Sequence, residues 1–313
     1  MTSTFCFFLL PGFSMMGLMS AIEPLRVANR FRPQLYDWHL LSTDGLAVQA
    51  SNGMSLNVDA DLAASPGTRL FVVAGFEPLA GFTAQLAARL RRAERECLAL
   101  GAIDTGCFVL AEAGLLEAKQ RFTLHWEAID AFRERYPQLQ PTQELFEIDG
   151  RRISSAGGTS SLDLMLSLIG EEQGEALAVQ VSEQFVLGRI RTRLDHQRMQ
   201  VSSRYGIHDK KLALVIGEME RCTEQPRTPG ELAEMVSISN RQLERLFRQH
   251  LQTTPVTFYL DLRLNKARQL LRQSDLSVLE VALACGFDSA AYFARRYRIR
   301  FAVTPRQDRH EPA

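Results

Sequence analysis

Residues 228–251 read TPGELAEMVSISNRQLERLFRQHL. Two helices and a three-residue turn are legible in them. The first helix carries Leu232, Ala233 and Val236 on one side, the spacing of an inward face. Ser237-Ile238-Ser239 makes the turn. Ser239 suits the N-cap of the next helix, because its hydroxyl can accept a first-turn N–H that has no helical partner. The second helix places Leu243, Leu246 and Phe247 at i, i+3 and i+4. Its other side shows Asn240, Arg241, Gln242, Glu244, Arg245 and Arg248. A surface helix with solvated arginines would share that face. The helix, short turn, helix layout is the stronger sign, with hydrogen-bonding side chains gathered near the second helix's N-terminus, as a reader of base edges requires.

The pattern recurs about 48 residues later. In SVLEVALACGFDSAAYFARRYRIRF, 277–301, the first helix carries Val281, Ala282 and Ala284. Gly286 permits the turn, and Asp288 or Ser289 caps the second helix. Phe293 and Tyr297 point inward, while Arg295, Arg296, Arg298 and Arg300 supply charge. Between the units runs PVTFYLDLRLNKARQLL, 255–271, a helix roughly 25 Å long. Two reading helices on such a spacer suit neighbouring major grooves, about 34 Å apart on one DNA face. Helix patterns at 211–222, 229–236, 240–250, 255–273, 277–284 and 289–300 make this half all-α.

Charge divides the 313 residues the same way. Net charge is zero, but 1–188 holds 14 Lys+Arg against 22 Asp+Glu, a balance of −8. Residues 189–313 hold 22 against 14, a balance of +8. A basic half suits a polyanion, though a solvated basic surface has the same composition. The five cysteines, Cys6, Cys97, Cys107, Cys222 and Cys285, are odd in number and form no CxxC pair. They read as reduced thiols of a cytoplasmic protein, with no disulfide framework, metal site or cofactor implied. Phe5–Leu10 is stopped by Pro11-Gly12 and preceded by no basic residue. It reads as a buried first strand, and neither a signal peptide nor a membrane segment is expected.

The first half alternates apolar runs with helical stretches. Phe5–Leu10, Trp38–Ser42, Leu70–Ala74 and Leu98–Ile103 read as strands, with helices near 16–30 and 80–96. Runs apolar on both faces imply a parallel sheet covered on both sides. A weaker strand is expected near Phe122–Leu124, a helix across 126–135, a hairpin about Asp149-Gly150, and a helix opened by Gly157-Gly158. The expected organisation is an α/β domain over 1–188, a connection over 189–209 and an all-α domain over 210–308. At GAIDTGCFVLAEAGLL, 101–116, an apolar run turns into a helix, and that turn offers Asp104 and Cys107.

Residues 210–308 resemble the DNA-binding domain of the AraC family of transcription regulators. The resemblance rests on "ELAEMVSISNRQLERLFRQHL", "LRLNKARQLL", "SVLEVALACGFDSAAYFARRY" and "TPRQDR". It implies that Ser239, Asn240, Arg241, Gln242 and Arg245 form one DNA-reading set, and Ser289, Ala290, Tyr292, Arg295 and Arg296 the other. The family usually has Gly before each Thr-Pro segment, where this chain has Gln252 and Ala302. Glycine there would serve a left-handed helix exit.

Residues 3–188 resemble the PfpI-like, glutamine-amidotransferase-like domain that precedes an AraC-type domain in one branch of these regulators. The resemblance rests on "LLPGFSMMGLMSAIEPLRVANR", "FVVAGFEP", "GAIDTGCFVLAEAGLLEA", "TLHWE" and "SSAGGTSSLDLMLSLI". It implies a flavodoxin-like parallel sheet between helices, often dimeric. Alignment on Gly106 puts Asp104 where the superfamily's enzymes carry a nucleophilic Cys. Glu23 falls at the first-helix Glu and His125 at the His. Cys107 comes three places late and reads as packing. An Asp at the elbow is a far weaker nucleophile than a thiolate, so a sensor is expected rather than the alternative, an amidase or hydratase with an accessory DNA-binding domain.

The elbow carboxylate has two readings. It could cap its helix by accepting the Gly106 or Cys107 N–H. It could also join Glu23 and Glu77, with Thr105, His125 and the aromatic rings of Phe13, Phe76 and Trp126, in a cage for an alkylated cation. Trp126 is equally readable as core, and Glu77 as a solvated helix start. Free N–H groups at the helix starts near 107 and 159 would suit a ligand carboxylate. Within the family the first half looks like regulators of choline, glycine betaine or carnitine breakdown. The expected partners are double-stranded DNA, a cationic or zwitterionic amine effector, a second copy of the chain, and RNA polymerase if the protein activates transcription.

Overall fold

The computed structural model describes residues 2–62 and 67–309. The chain divides into two compact units between Gln197 and Arg198. The first unit begins with β1 (Ser3–Leu9), α1 (Met15–Phe31) and β2 (Tyr36–Ser42), followed by the short strands β3 (Val48–Gln49), β4 (Ser55–Leu56) and β5 (Ala60–Asp61). Next come β6 (Arg69–Val73), α2 (Ala84–Glu96), β7 (Ala99–Ile103), α3 (Gly106–Glu112) and α4 (Ile129–Arg135). It closes with β8 (Phe146–Asp149), β9 (Arg152–Ser155), α5 (Ser160–Gln173) and α6 (Glu175–Gln184).

Seven strands make one sheet in the order β5-β2-β1-β6-β7-β9-β8. Its pairs are parallel except β8 with β9, joined by the expected turn in which Gly150 takes φ +58°. Phe5, Phe7 and Leu9 share one core with Leu18, Leu25, Leu166 and Val181 of α1, α5 and α6. Cys6 and Phe8, of opposite parity, are buried too, as a sheet covered on both faces demands. Each Phe so buried contributes roughly 1.5–3 kcal/mol. The chain leaves β1 toward β2 on one side, whereas β6 lies on the other. That reversal leaves a crevice at the carboxyl ends of β1 and β6, where open α/β sheets place ligands.

Two features depart from the sequence pattern. Phe122–Leu124 forms no strand; Thr123 makes a single bridge to Thr142, because its N–H donates to the Ser154 hydroxyl (2.9 Å) instead of a ladder. Helix α6 and the two short strands of the β3–β4 hairpin are additions that the hydrophobic pattern does not announce. The expected connection is shared between the units: residues 189–197 lie in the first, and α7 (Val201–Tyr205) in the second.

After α7 the second unit comprises α8 (Lys210–Arg221), α9 (Pro229–Met235), α10 (Asn240–Leu251), α11 (Pro255–Gln273), α12 (Val278–Ala284), α13 (Ala290–Phe301) and α14 (Pro305–Asp308). One core joins Leu212, Val215 and Met219 to Leu232, Val236, Leu243, Phe247 and Tyr259. Capping boxes open α9 (Thr228 with Glu231), α10 (Ser239 with Gln242), α12 (Ser277 with Glu280) and α14 (Thr304 with Gln307). Both turns use a left-handed residue, Ser237 at φ +53° and Gly286 at φ +71°. A side chain at Gly286 would press on the Thr223 and Glu224 carbonyls, 2.8 and 2.7 Å from its Cβ. Gln252 and Ala302, the two residues that replace glycine, do exit their helices left-handed, at φ +54° and +64°.

Candidate functional site

The turn from β7 to α3 is an elbow. Asp104 sits in it at φ +64°, a conformation that costs a non-glycine residue roughly 1–2 kcal/mol. Small residues let the surrounding loops close in. A Cβ on Gly106 would collide with the Val72 carbonyl, one on Gly75 with the Gly12 carbonyl, and one on Gly157 with the Asp104 carboxyl. Phe13 bridges Gly75 across the crevice, and the Thr105 hydroxyl donates to the Gly75 carbonyl. Asp104 therefore stands at the carboxyl end of the sheet, beside the reversal of strand order.

Burial pushes the Asp104 carboxyl up to about 6, against the pull of His125 and of hydrogen bonds from the Ser14 hydroxyl and the Thr105 N–H; Glu127 pushes it up further. Asp104 thus accepts Thr105 N–H, and the expected cap on Gly106 or Cys107 does not form. At neutral pH the carboxyl is mostly ionised in a largely dry site, a state that draws a cation. Cys107 is packing. Its side chain is 1% exposed, the thiol donates to the Thr123 carbonyl (3.3 Å), and burial pushes its pKa far up.

His125 comes to the elbow as the sequence suggests. Its N–H donates to the Asp104 carbonyl (3.3 Å), and its ring lies 5.6 Å from that of Trp126. Thr105 is brought in as well. Glu23, on α1, pairs with Arg26 at 2.7 Å. Phe13 is fully buried in the core, so its ring is not an open wall. Phe76 and Glu77 are exposed on the loop that follows Gly75. Three contributors escape sequence reasoning. Ser14 is legible only as the N-cap of α1, where it accepts Gly17 N–H. Glu127 lies within the TLHWE motif and Gly157 within the Gly157-Gly158 helix start, but neither marks a contact with Asp104.

In the second unit, Ser239, Asn240, Arg241, Gln242 and Arg245 lie exposed along the start of α10. The Gln242 carbonyl oxygen is committed to the Ser239 cap (2.8 Å to its N–H), which leaves the amide NH₂ outward. On α13, Ser289, Ala290, Tyr292 and Arg295 are exposed, and Arg296 is half-buried. The Arg295 guanidinium lies over the Tyr292 ring at 5.7 Å. Arg263 of α11 donates to the Cys285 (2.7 Å) and Gly286 carbonyls and stacks on Phe287 at 4.1 Å. That fixes the second turn, and with it the start of α13. Arg300 pairs with Asp261 at 3.3 Å.

Comparison with known proteins agrees with this division. A helix-turn-helix domain model matches residues 232–311. The chain is 65% identical over 310 residues to the HTH-type transcriptional regulator CdhR of Pseudomonas aeruginosa, covering 99% of this chain and 92% of CdhR. The crystal structure of an AraC family transcriptional regulator from Pseudomonas putida is 29% identical, with a TM-score of 0.52 over 58% of this chain and 99% of that one. A THiJ/PfpI family protein from Pseudomonas syringae shares the fold at 19% identity, with a TM-score of 0.54 over 76% of this chain and 91% of that one. No helix among the described residues is long and apolar enough to cross a membrane.

Proposed function

Since this chain belongs to the AraC family of helix-turn-helix transcription regulators with a PfpI-like N-terminal domain, we propose that its first unit senses a cationic or zwitterionic alkylated amine of the glycine betaine or carnitine kind. The observation that carries the reading is the Asp104 carboxyl, held at the elbow of a fold whose enzymes place a thiol there, and desolvated enough to reach about 6. An ionised carboxylate near His125, whose ring neighbours that of Trp126, with Phe76 exposed on another loop, suits an alkylammonium group. The start of α5 has no capping side chain, which suits the acid end of a zwitterion.

The second unit binds double-stranded DNA. Its bases would be read by Asn240, Arg241, Gln242 and Arg245 on α10 and by Ser289, Ala290, Tyr292, Arg295 and Arg296 on α13, with Ser239 at a phosphate. In this reading the protein works in the cytoplasm as a homodimer and activates catabolic genes by contact with RNA polymerase. The test is fluorescence anisotropy of the full chain on DNA upstream of its own gene. Affinity should fall steeply with salt, and one of glycine betaine, carnitine, choline derivatives or basic amino acids should shift it. Salt-insensitive binding, or no response across that panel, would refute the reading.

A further inference from the structure

The segment 189–197 lies on the first unit through unusually strong contacts. Arg191 donates its backbone N–H (3.0 Å) and guanidinium (2.6 Å) to Asp163, and also reaches the Thr159 hydroxyl (2.8 Å). Asp163 is 2% exposed. Arg193 reaches Glu147 (3.2 Å), which is fully buried and shared with Arg121. Gln197 spreads one amide NH₂ over the Thr123 hydroxyl (3.0 Å) and the Leu124 (3.1 Å) and Glu144 (2.9 Å) carbonyls. Arg189 and Thr192 close the intervening turn on Asp195. A solvated linker needs none of this, since exposed ion pairs contribute little.

Two of these anchors sit beside the elbow. Leu124, whose carbonyl Gln197 holds, precedes His125, whose N–H holds the Asp104 carbonyl. Thr159, held by Arg191, follows Gly157-Gly158, and Gly157 lies against the Asp104 carboxyl. A guest at Asp104 would lie against the 125 and 157 walls, and one segment grips both within two residues. The Gln197 carbonyl oxygen is buried without a donor, a standing cost that a shift of the segment would relieve. At Arg198 the chain enters the DNA-binding unit.

We propose that residues 189–197 are a transmission strap, which couples occupancy of the Asp104 pocket to the DNA-binding unit through the Arg191–Asp163/Thr159 and Gln197–Leu124 anchors. The proposal rests on the reading of that pocket as the effector site. Coupling then requires only that the strap have two arrangements that the guest weights differently.

The experiment has two arms on the full chain. Without ligand, hydrogen–deuterium exchange compares wild type with Asp104→Asn, taking α2 as internal reference. The strap peptide should change its exchange rate at least about threefold relative to α2; an unchanged ratio would overturn the proposal. With glycine betaine and carnitine as probes, Arg191→Gln/Gln197→Ala should still bind the probe that wild type binds. Provided that it still binds the probe, measured separately, it should lose the probe-dependent change in DNA affinity, which typically spans about 5–150-fold in coupled systems. A full response in that variant would overturn the strap. Arg191→Lys, which keeps the charge beside Asp163 but not the fork to Thr159, serves if the double variant fails to fold. If neither probe binds wild type, the amine reading fails and the exchange arm alone decides the strap.

Discussion

Asp104→Asn should stabilise the ligand-free protein while abolishing its response. The Asp104 carboxyl rises from 3.8 to about 6 on folding, chiefly through burial. A tenfold change in acidity is worth about 1.4 kcal/mol, so holding the ionised group in the fold costs about 3 kcal/mol above pH 6. The sign follows from proton counting. Between pH 3.8 and 6 the folded state binds the proton that the unfolded state has released, so wild-type stability falls as pH rises through that window. It is flat with respect to this group on either side. Asparagine keeps the size and the acceptor for the Ser14 hydroxyl and Thr105 N–H, but carries no charge. Its advantage should be about 2–3 kcal/mol at pH 7.5, about half that at pH 5, and absent below pH 4. Urea unfolding of wild type and variant, followed by a signal from the first unit, measures it. A variant less stable than wild type at pH 7.5, or a gap that does not close on acidification, would refute the picture of a desolvated carboxylate.

The other predictions test separate parts of the molecule. Gln252→Gly and Ala302→Gly each remove a left-handed non-glycine exit at an exposed position. Set against glycine's greater freedom in the unfolded chain, each should gain about 0.5–1 kcal/mol, seen as a rise in the melting temperature of the second unit; a fall would contradict the cap assignment. Asp308 is fully buried between Arg268 (2.8 Å), Arg272 (2.5 Å) and the Tyr297 hydroxyl (2.5 Å). Asp308→Ala should cost about 1–3 kcal/mol, because it leaves the buried Tyr297 hydroxyl without its acceptor and removes the partner of two part-exposed arginines, and denaturant titration would show it. Cys107→Ala should leave DNA binding and its effector response intact, and thiol reagents should reach Cys107 only on unfolding; loss of the response would return the thiol to the site.

Helix starts are the most legible part of the chain, because a cap is a local device. Ser239 and Ser289 do cap α10 and α13. Strand runs buried on both faces are readable for the same reason, since both parities are apolar in Phe5–Leu9. The β3–β4 hairpin carries a turn signal, Asn52-Gly53, but its strands are too short to show a pattern of their own. The proximity of Asp104 and His125 is legible from their alignment, and the structure joins them by the His125 N–H on the Asp104 carbonyl. Glu23 pairs with Arg26, three residues on along the same helix face, a local contact that its alignment to the first-helix Glu does not announce. The arginines of 189–197 read as loose basic charge because their partners, Asp163 and Glu147, lie 28 and 46 residues away, and burial of a carboxylate has no local sequence mark.

The central claim is that an amine cation at the Asp104 carboxylate controls DNA binding. It is tested most directly by the affinity of the full chain for its own upstream DNA, with and without saturating glycine betaine or carnitine, in wild type and Asp104→Asn at one pH and salt. Wild type should shift at least about fivefold. Asp104→Asn should show no shift on addition of either amine. An Asp104→Asn protein that responds like wild type would contradict it.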